Sequence, residues 1–233
     1  MARKKGPHVQ HAYQYIKEKI LTFEFCPGTV LSDNMLSQQL SMSRSPVREA
    51  FMLLLADGLL EMKNGRAQVS PITVEDIVEI CEVRISISIA AVNSILNRGL
   101  LMRSEKERIT DLYKKLSQAD DLFQSYKYDD LFHAAIIEMA GNRRLLEISE
   151  RMRLQIARAR WLNSVLPERR AEANREHSAI YSALINGNRQ SCIEAIIAHF
   201  KNSAENYARV LQNPRFTPQF KLAFVSMSIT DEQ

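Results

Sequence analysis

Asp129 and His133 stand four residues apart in a segment of helical apolar spacing, so a carboxylate and an imidazole share one helix face. They flank the stripe of Phe132, Ala135, Ile136 and Met139. His177 falls on the stripe of Ile180, Tyr181 and Leu184, and His199 borders Ile196 and Phe200. One carboxylate and three imidazoles thus come from three segments, all at or beside core-facing positions. That donor set suits a divalent transition metal such as zinc, nickel, copper or iron. A histidine near a core serves equally well as an internal hydrogen-bonding group, so spacing alone leaves both uses open. Asp130 is the competing carboxylate, one step off the face. Of the 5 histidines, the other two, His8 and His11, lie near the N-terminus at positions expected to be solvated. Arg84 lies on the stripe of Ile77, Ile80, Cys81, Ile87 and Ala91, which directs its charge inward. A guanidinium in such a place needs an anion, either a ligand carboxylate or an internal Asp or Glu.

A second kind of chemistry lies in Leu31–Val69. Arg44 and Arg48 stand near the start of a segment whose apolar face is Val47, Ala50, Phe51, Leu54 and Leu55, and Ser43 and Ser45 flank Arg44. Arginine forks match the paired acceptors of guanine in the major groove, and serine hydroxyls suit phosphates. The N-terminal end of a recognition helix presents such residues to base edges. Ser32-Asp33 opens a preceding helix that runs to about Leu40. Ser45 is read as the cap of the second helix, with Pro46 in the first turn where its missing N–H costs nothing. Leu59–Lys63 and Arg66–Ser70 read as two strands joined by Asn64-Gly65, a hairpin turn pair. Gly65 and Arg66 are then placed to meet the DNA backbone or minor groove. The order is that of a winged helix-turn-helix.

These segments belong to a mainly α chain. With 233 residues, 45% apolar content and only 7 glycines and 7 prolines, the composition favours helices over a β-sandwich. A boundary is expected around Ser70–Thr73, where Pro71 ends the wing and Thr73 caps a new helix. The expected helices are 74–98, 104–125 (with Ser104 and Glu107 as a capping box), 127–140, 143–163, 168–186 and 189–211, an antiparallel bundle of six. The expected domains are 8–72 for DNA, 74–211 for the helical bundle and 212–233 for a tail. That tail is either flexible or docks Phe220, Leu222, Phe224 and Val225 on a partner.

Charge follows the same division. Net charge is +4, and residues 1–70 hold nine Lys/Arg against six Asp/Glu. The excess therefore sits on the DNA-binding part. Arg3, Lys4 and Lys5 form either a phosphate-touching arm or a solubilising tail. No apolar run reaches membrane-spanning length, and no apolar signal segment follows the basic start, so a cytoplasmic protein without a membrane partner is expected. The 3 dispersed cysteines (Cys26, Cys81, Cys192) read as free thiols in a reducing compartment. No glycine-rich phosphate loop, nucleophile elbow or His-Glu-x-x-His appears, so no catalytic set is assigned and the chain is not read as an enzyme.

Pro27-Gly28-Thr29-Val30-Leu31-Ser32, Ser43-Arg44-Ser45-Pro46-Val47-Arg48-Glu49-Ala50 and Leu53–Leu60 resemble the DNA-binding domain of GntR-type bacterial transcription regulators. The wing is looser, with Gly65-Arg66-Ala67-Gln68-Val69 where many members have Arg-Gly-aromatic-Val. Glu82-Val83-Arg84, Asp129-Asp130-Leu131-Phe132-His133 with Gly141-Asn142, Glu176-His177 and His199-Phe200 resemble the all-helical effector (FCD) domain of the FadR-type branch. The resemblance implies a metal, zinc or nickel foremost, on Asp129, His133, His177 and His199. It also implies a small carboxylate effector, for which Arg84 is the candidate anchor, and a homodimer on a palindromic double-stranded DNA operator. Family members often carry Glu at the position of Ser88, so the pocket here has a different charge. Repression relieved by ligand is the commonest arrangement in such regulators. A metal sensor, a purely structural metal and a metalloenzyme are the rival readings.

Overall fold

The computed structural model describes residues 6–164 and 167–212, apart from the side chains of 122, 158–164, 167, 211 and 212. The basic residues Arg3, Lys4 and Lys5 and the apolar residues of the tail lie outside the described residues. The chain divides into two compact units between Ile72 and Thr73.

The first unit runs α1 (Pro7–Leu21), α2 (Asp33–Gln39), α3 (Arg44–Ala56), β1 (Leu60–Lys63) and β2 (Arg66–Val69). Helix α1 has no counterpart in the sequence reading. Its apolar residues Val9, Ala12, Ile16 and Ile20 are spaced for one buried face, and Pro7 sits at its start. Ser32 caps α2 by accepting from the Met35 amide at 3.3 Å. The cap of α3 differs from expectation. Ser43 holds the extended N-cap backbone and the helix starts at Arg44, so Ser45 lies inside the first turn. Pro46 is therefore the third helical residue, where an amide still has no intrahelical partner. Asn64 and Gly65 both have positive φ, 51° and 71°, as a two-residue hairpin requires, and Lys63 pairs with Arg66 across the turn. Val30 adds a short antiparallel bridge to Gln68. Ile16, Ile20, Leu36, Leu54, Leu59 and Val69 form the fully buried centre of this unit.

The second unit contains α4 (Val74–Asn97), α5 (Arg103–Ser117), α6 (Leu122–Met139), α7 (Arg143–Ser164), α8 (Pro167–Ile185) and α9 (Arg189–Gln212). Thr73 and Asp76 close a reciprocal capping box on α4. The expected helix 104–125 is shorter in the structure and its successor longer. Helix α5 ends at Ser117, and Asp121 caps α6 by accepting from the Gln124 amide at 2.7 Å. At the start of α5, Glu105 rather than Glu107 returns to the backbone, accepting from the Met102 amide at 2.9 Å. The same Glu105 receives Arg98 at 2.5 Å, which also donates to the Met139 carbonyl, so this corner ties α4, α5 and α6 together. Gly187, at φ +68°, turns α8 into α9, and a Cβ there would meet Leu100 Cδ2 at 2.8 Å. Phe132, Ile95, Ile109, Ile180, Ile196 and Phe200 centre the core. Among the described residues, no helix is long and apolar enough to cross a membrane.

Leu54 is fully buried in the first unit. Leu54→Ala is expected to destabilise that unit by about 2–5 kcal/mol, from lost burial plus the cavity left behind. Urea unfolding of the full chain, followed by a probe in the first unit, checks this. A loss under about 1 kcal/mol would contradict the packing.

Candidate metal centre and DNA-contacting surface

Helices α6, α8 and α9 bring their histidines to one point. His133 Nε2 lies 3.1 Å from both His177 Nε2 and His199 Nε2. Asp129 Oδ1 is 2.9 Å from His177 Nε2 and 3.7 Å from His133 Nε2. One donor atom from each of the four residues lies within 4.8 Å of the others. Metal–nitrogen bonds of about 2.0–2.1 Å place neighbouring donors on one ion roughly 3 Å apart, the spacing around His133. His177 and His199 are buried, and Phe132 and Phe200 pack against the cluster edge-on to His177 and His199. Asp130 instead pairs with Arg153.

The positions of the ring protons decide whether these residues suit a cation. His199 Nδ1 is 2.8 Å from Glu176 Oε2, so its proton belongs on Nδ1 and its Nε2 carries a lone pair toward the centre. His133 Nε2 must then donate to His199, and His177 Nε2 must donate to Asp129. That leaves two N–H groups facing each other at 3.1 Å between His133 and His177. Every other assignment of neutral rings leaves a lone pair against a lone pair or against a carboxylate. An imidazolium would relieve the conflict, but burial opposes it. Burial, with the neighbouring His177 next, pushes His199 down to about 4, and burial likewise holds His133 well below its ordinary value. A cation at the centre satisfies all the inward lone pairs at once. The residues fit a divalent metal.

Glu176 is the organising residue that the sequence reading left without a role. Its carboxylate accepts from His199, from both Arg169 Nη atoms at 2.8 and 2.7 Å, and from Asn202 at 2.8 Å. Burial works against its charge, but the bonds from His199 and Arg169 prevail and hold it below the usual carboxylate range. Only its position directly before His177 marks it in the sequence.

A cavity of about 50 Å³ opens beside the centre, lined by Asp129, His177 and His199 together with Arg84, Arg169 and Arg170. Arg84 lies on the Phe200 ring, 4.3 Å from its centroid to the guanidinium carbon. A smaller space lined by His133 includes Arg84 again, with Ser88 and the Asp130–Arg153 pair.

In the first unit Ser43, Arg44, Ser45 and Arg48 are all exposed at the start of α3, and Gly65 and Arg66 are exposed at the wing. The structure adds Asp33, which the sequence reading took only as an acidic first-turn residue. Arg44 meets the Asp33 carboxylate through Nε and Nη2 at 3.2 and 3.0 Å, and Arg48 Nε meets it at 2.5 Å. These bonds, Arg48's first, hold Asp33 below the usual carboxylate range. One carboxylate thus orients two guanidinium groups on the surface facing away from the core.

Residues 8–69 match the family model described as bacterial regulatory proteins, gntR family, and residues 79–202 match the FCD domain. The chain belongs to the GntR family of transcription regulators, with an FCD domain. This GntR-family chain is 27% identical to the uncharacterized HTH-type transcriptional regulator YdhC of Bacillus subtilis, over 90% of this chain and 95% of the relative. It is 25% identical to the HTH-type transcriptional repressor RspR of Escherichia coli, over 88% and 91%. The solved structure of E. coli McbR/YncC has the same fold, with a TM-score of 0.72 at 21% identity, covering 88% of this chain and 98% of that one. The regulator is therefore a DNA-binding transcription factor rather than an enzyme.

Glu176→Gln removes the charge that holds His199 and Arg169 without changing side-chain size. Affinity for zinc is expected to fall roughly 10–100-fold, as for other partners that orient a metal-bound histidine. A competition titration against a chromogenic chelator measures it. Unchanged affinity would mean that His199 needs no such support or does not bind the ion.

Proposed function

We infer that this regulator is a metal-containing repressor whose grip on a palindromic operator is released by a small organic acid. The observation that carries the inference is the meeting of a cation-seeking donor set with a cavity lined by arginines. Asp129, His133, His177 and His199 would hold the metal, zinc or nickel foremost. Bound there, the ion supplies coordination positions for a carboxylate and an adjacent hydroxyl. Arg84, seated on Phe200, takes the acid's carboxylate with charge-assisted hydrogen bonds. Glu176 keeps the His199 proton on Nδ1 and so keeps Nε2 directed at the centre. The name of RspR as a repressor supports the sign of control.

On the DNA side, Arg44 and Arg48 read base edges from the start of α3, Ser43 and Ser45 meet phosphates, and Gly65 and Arg66 follow the backbone beside the wing. A homodimer would present two such helices to the two half-sites of the operator. An acid that binds one arrangement of the dimer better than the other shifts the population able to hold both half-sites.

Two experiments test the two halves. Arg48→Ala is expected to lose about 1–3 kcal/mol of binding to the mapped operator while leaving non-specific binding nearly unchanged. Equal weakening on all sequences, with a flatter salt dependence, would assign Arg48 to phosphate instead. A thermal-shift screen of the metal-loaded protein against small carboxylic and sugar acids should give a concentration-dependent rise with a subset, lost in Arg84→Ala. A flat response with metal confirmed bound would point to a structural or sensed metal.

A further inference from the structure

The cavity beside the metal centre carries more positive charge than one carboxylate needs. Of the residues that line it, three bear guanidinium groups (Arg84, Arg169 and Arg170), and its one carboxylate is Asp129, a member of the donor set. Arg169 is only 5% exposed. Its Nη atoms are taken by Glu176, by Ser203 at 3.0 Å and by Glu172 at 3.5 Å, yet its Nε is buried with no partner among the described residues. A buried N–H left unpaired is costly, and here it belongs to a side chain lining a cavity beside the centre. Arg170, the next residue, is half-buried at the same cavity, with no hydrogen bond or ion pair to any described residue. Glu176 and Glu172 offset the charge of Arg169, so Arg170 is the guanidinium still in want of an anion. Ser125, Asn174 and Tyr207 complete a polar lining.

Resting on the reading above that this cavity takes a carboxylate, we propose that it takes a second acidic group as well. Arg84 and the metal centre hold one carboxylate of a short dicarboxylate, and the unpaired Arg169 Nε with the Arg170 guanidinium holds the other. Arg169 is the fixed half of this second anchor, because Glu176 and Ser203 lock its plane. Arg170 is the adaptable half and supplies the net charge. The volume sets the size of the ligand. At about 50 Å³ the cavity has room for a few water molecules, which favours a compact chain of a few carbons.

Isothermal titration of the zinc-loaded full chain with matched acids tests this. Succinate and malate are set against butyrate and 2-hydroxybutyrate, which keep the carbon count and lose one carboxylate. The dicarboxylates should bind about tenfold or more tightly, the scale of one charge-assisted contact. Arg170→Gln should remove most of that preference, weakening the dicarboxylates more than the monocarboxylates, and Arg170→Lys should restore part of it. Equal affinities within each pair on the parent chain would overturn the second anchor, with or without the variants. A preference that survives Arg170→Gln would overturn the role given to Arg170. The two readings fail separately. Monocarboxylates that bind and are lost in Arg84→Ala, without any dicarboxylate preference, remove only the second anchor. Binding of neither kind removes the carboxylate effector and the second anchor together.

Discussion

Three imidazole nitrogens and a carboxylate oxygen meet in the interior of the second unit with no neutral proton arrangement that satisfies them all. Much of that unit's polar architecture follows from this conflict. The rings come from α6, α8 and α9, so whatever resolves the conflict also clamps three helices. Around them the chain has placed a graded shell. Phe132 and Phe200 pack edge-on to the rings, and burial opposes a charge on His133 and His199. Glu176 stands behind His199, Arg169 and Asn202 donate to Glu176, and Ser203 accepts from Arg169. A buried Arg–Glu pair by itself is weak support for stability, because desolvation offsets its attraction. Its better-supported role here is geometric, since it fixes which nitrogen of His199 faces the centre.

The first unit uses the same device on its surface. Asp33 bridges Arg44 and Arg48 where solvent screening makes the energy of each pair small. Small energy does not mean small consequence. Two long, flexible side chains held by one carboxylate lose rotamer freedom before DNA arrives, and that loss need not be incurred again on binding. Because Asp33 begins α2 while the arginines begin α3, the pair also ties the positions of both guanidinium groups to the angle of the helix-turn-helix.

Legibility in the sequence followed the range of the interactions involved. The wing was legible because Asn64-Gly65 and two alternating runs act locally, and α4 because Thr73 and Asp76 cap each other three residues apart. Helix α1 was missed although Val9, Ala12, Ile16 and Ile20 have helical spacing, because nothing nearby shows what that face would bury. The break between α5 and α6 was misplaced because 104–125 contains no glycine or proline. Only Asp121, capping forward to Gln124, decides it. At the cap of α3, two serines flank Arg44, and the local rule did not choose between them. The histidines could be grouped from their stripes and the family motif, whereas Glu176 and Arg169 act across 23 and 34 residues, on His199 and Ser203. Asp33 acts across 11 and 15 residues on the two arginines, distances with no helical period to reveal them.

Arg84 joins these levels. It belongs to α4, the helix that follows the last wing strand after four residues, Ser70 to Thr73, with Pro71 among them. It also lines both spaces beside the donor set and rests on Phe200 of α9. Under the proposed control, an acid drawn between Arg84 and the metal centre changes the balance of forces between α4 and the clamped helices. The clamped set is the stiffer side, because its residues are buried and cross-bonded. Any adjustment therefore falls mainly on α4, through the contact of Arg84 with Phe200. How far operator affinity moves is limited by the difference between the acid's affinities for the two arrangements, however tightly it binds either one. Ser88 lines the second space together with Arg84 and the Asp130–Arg153 pair, so this position adds no carboxylate of its own beside the guanidinium.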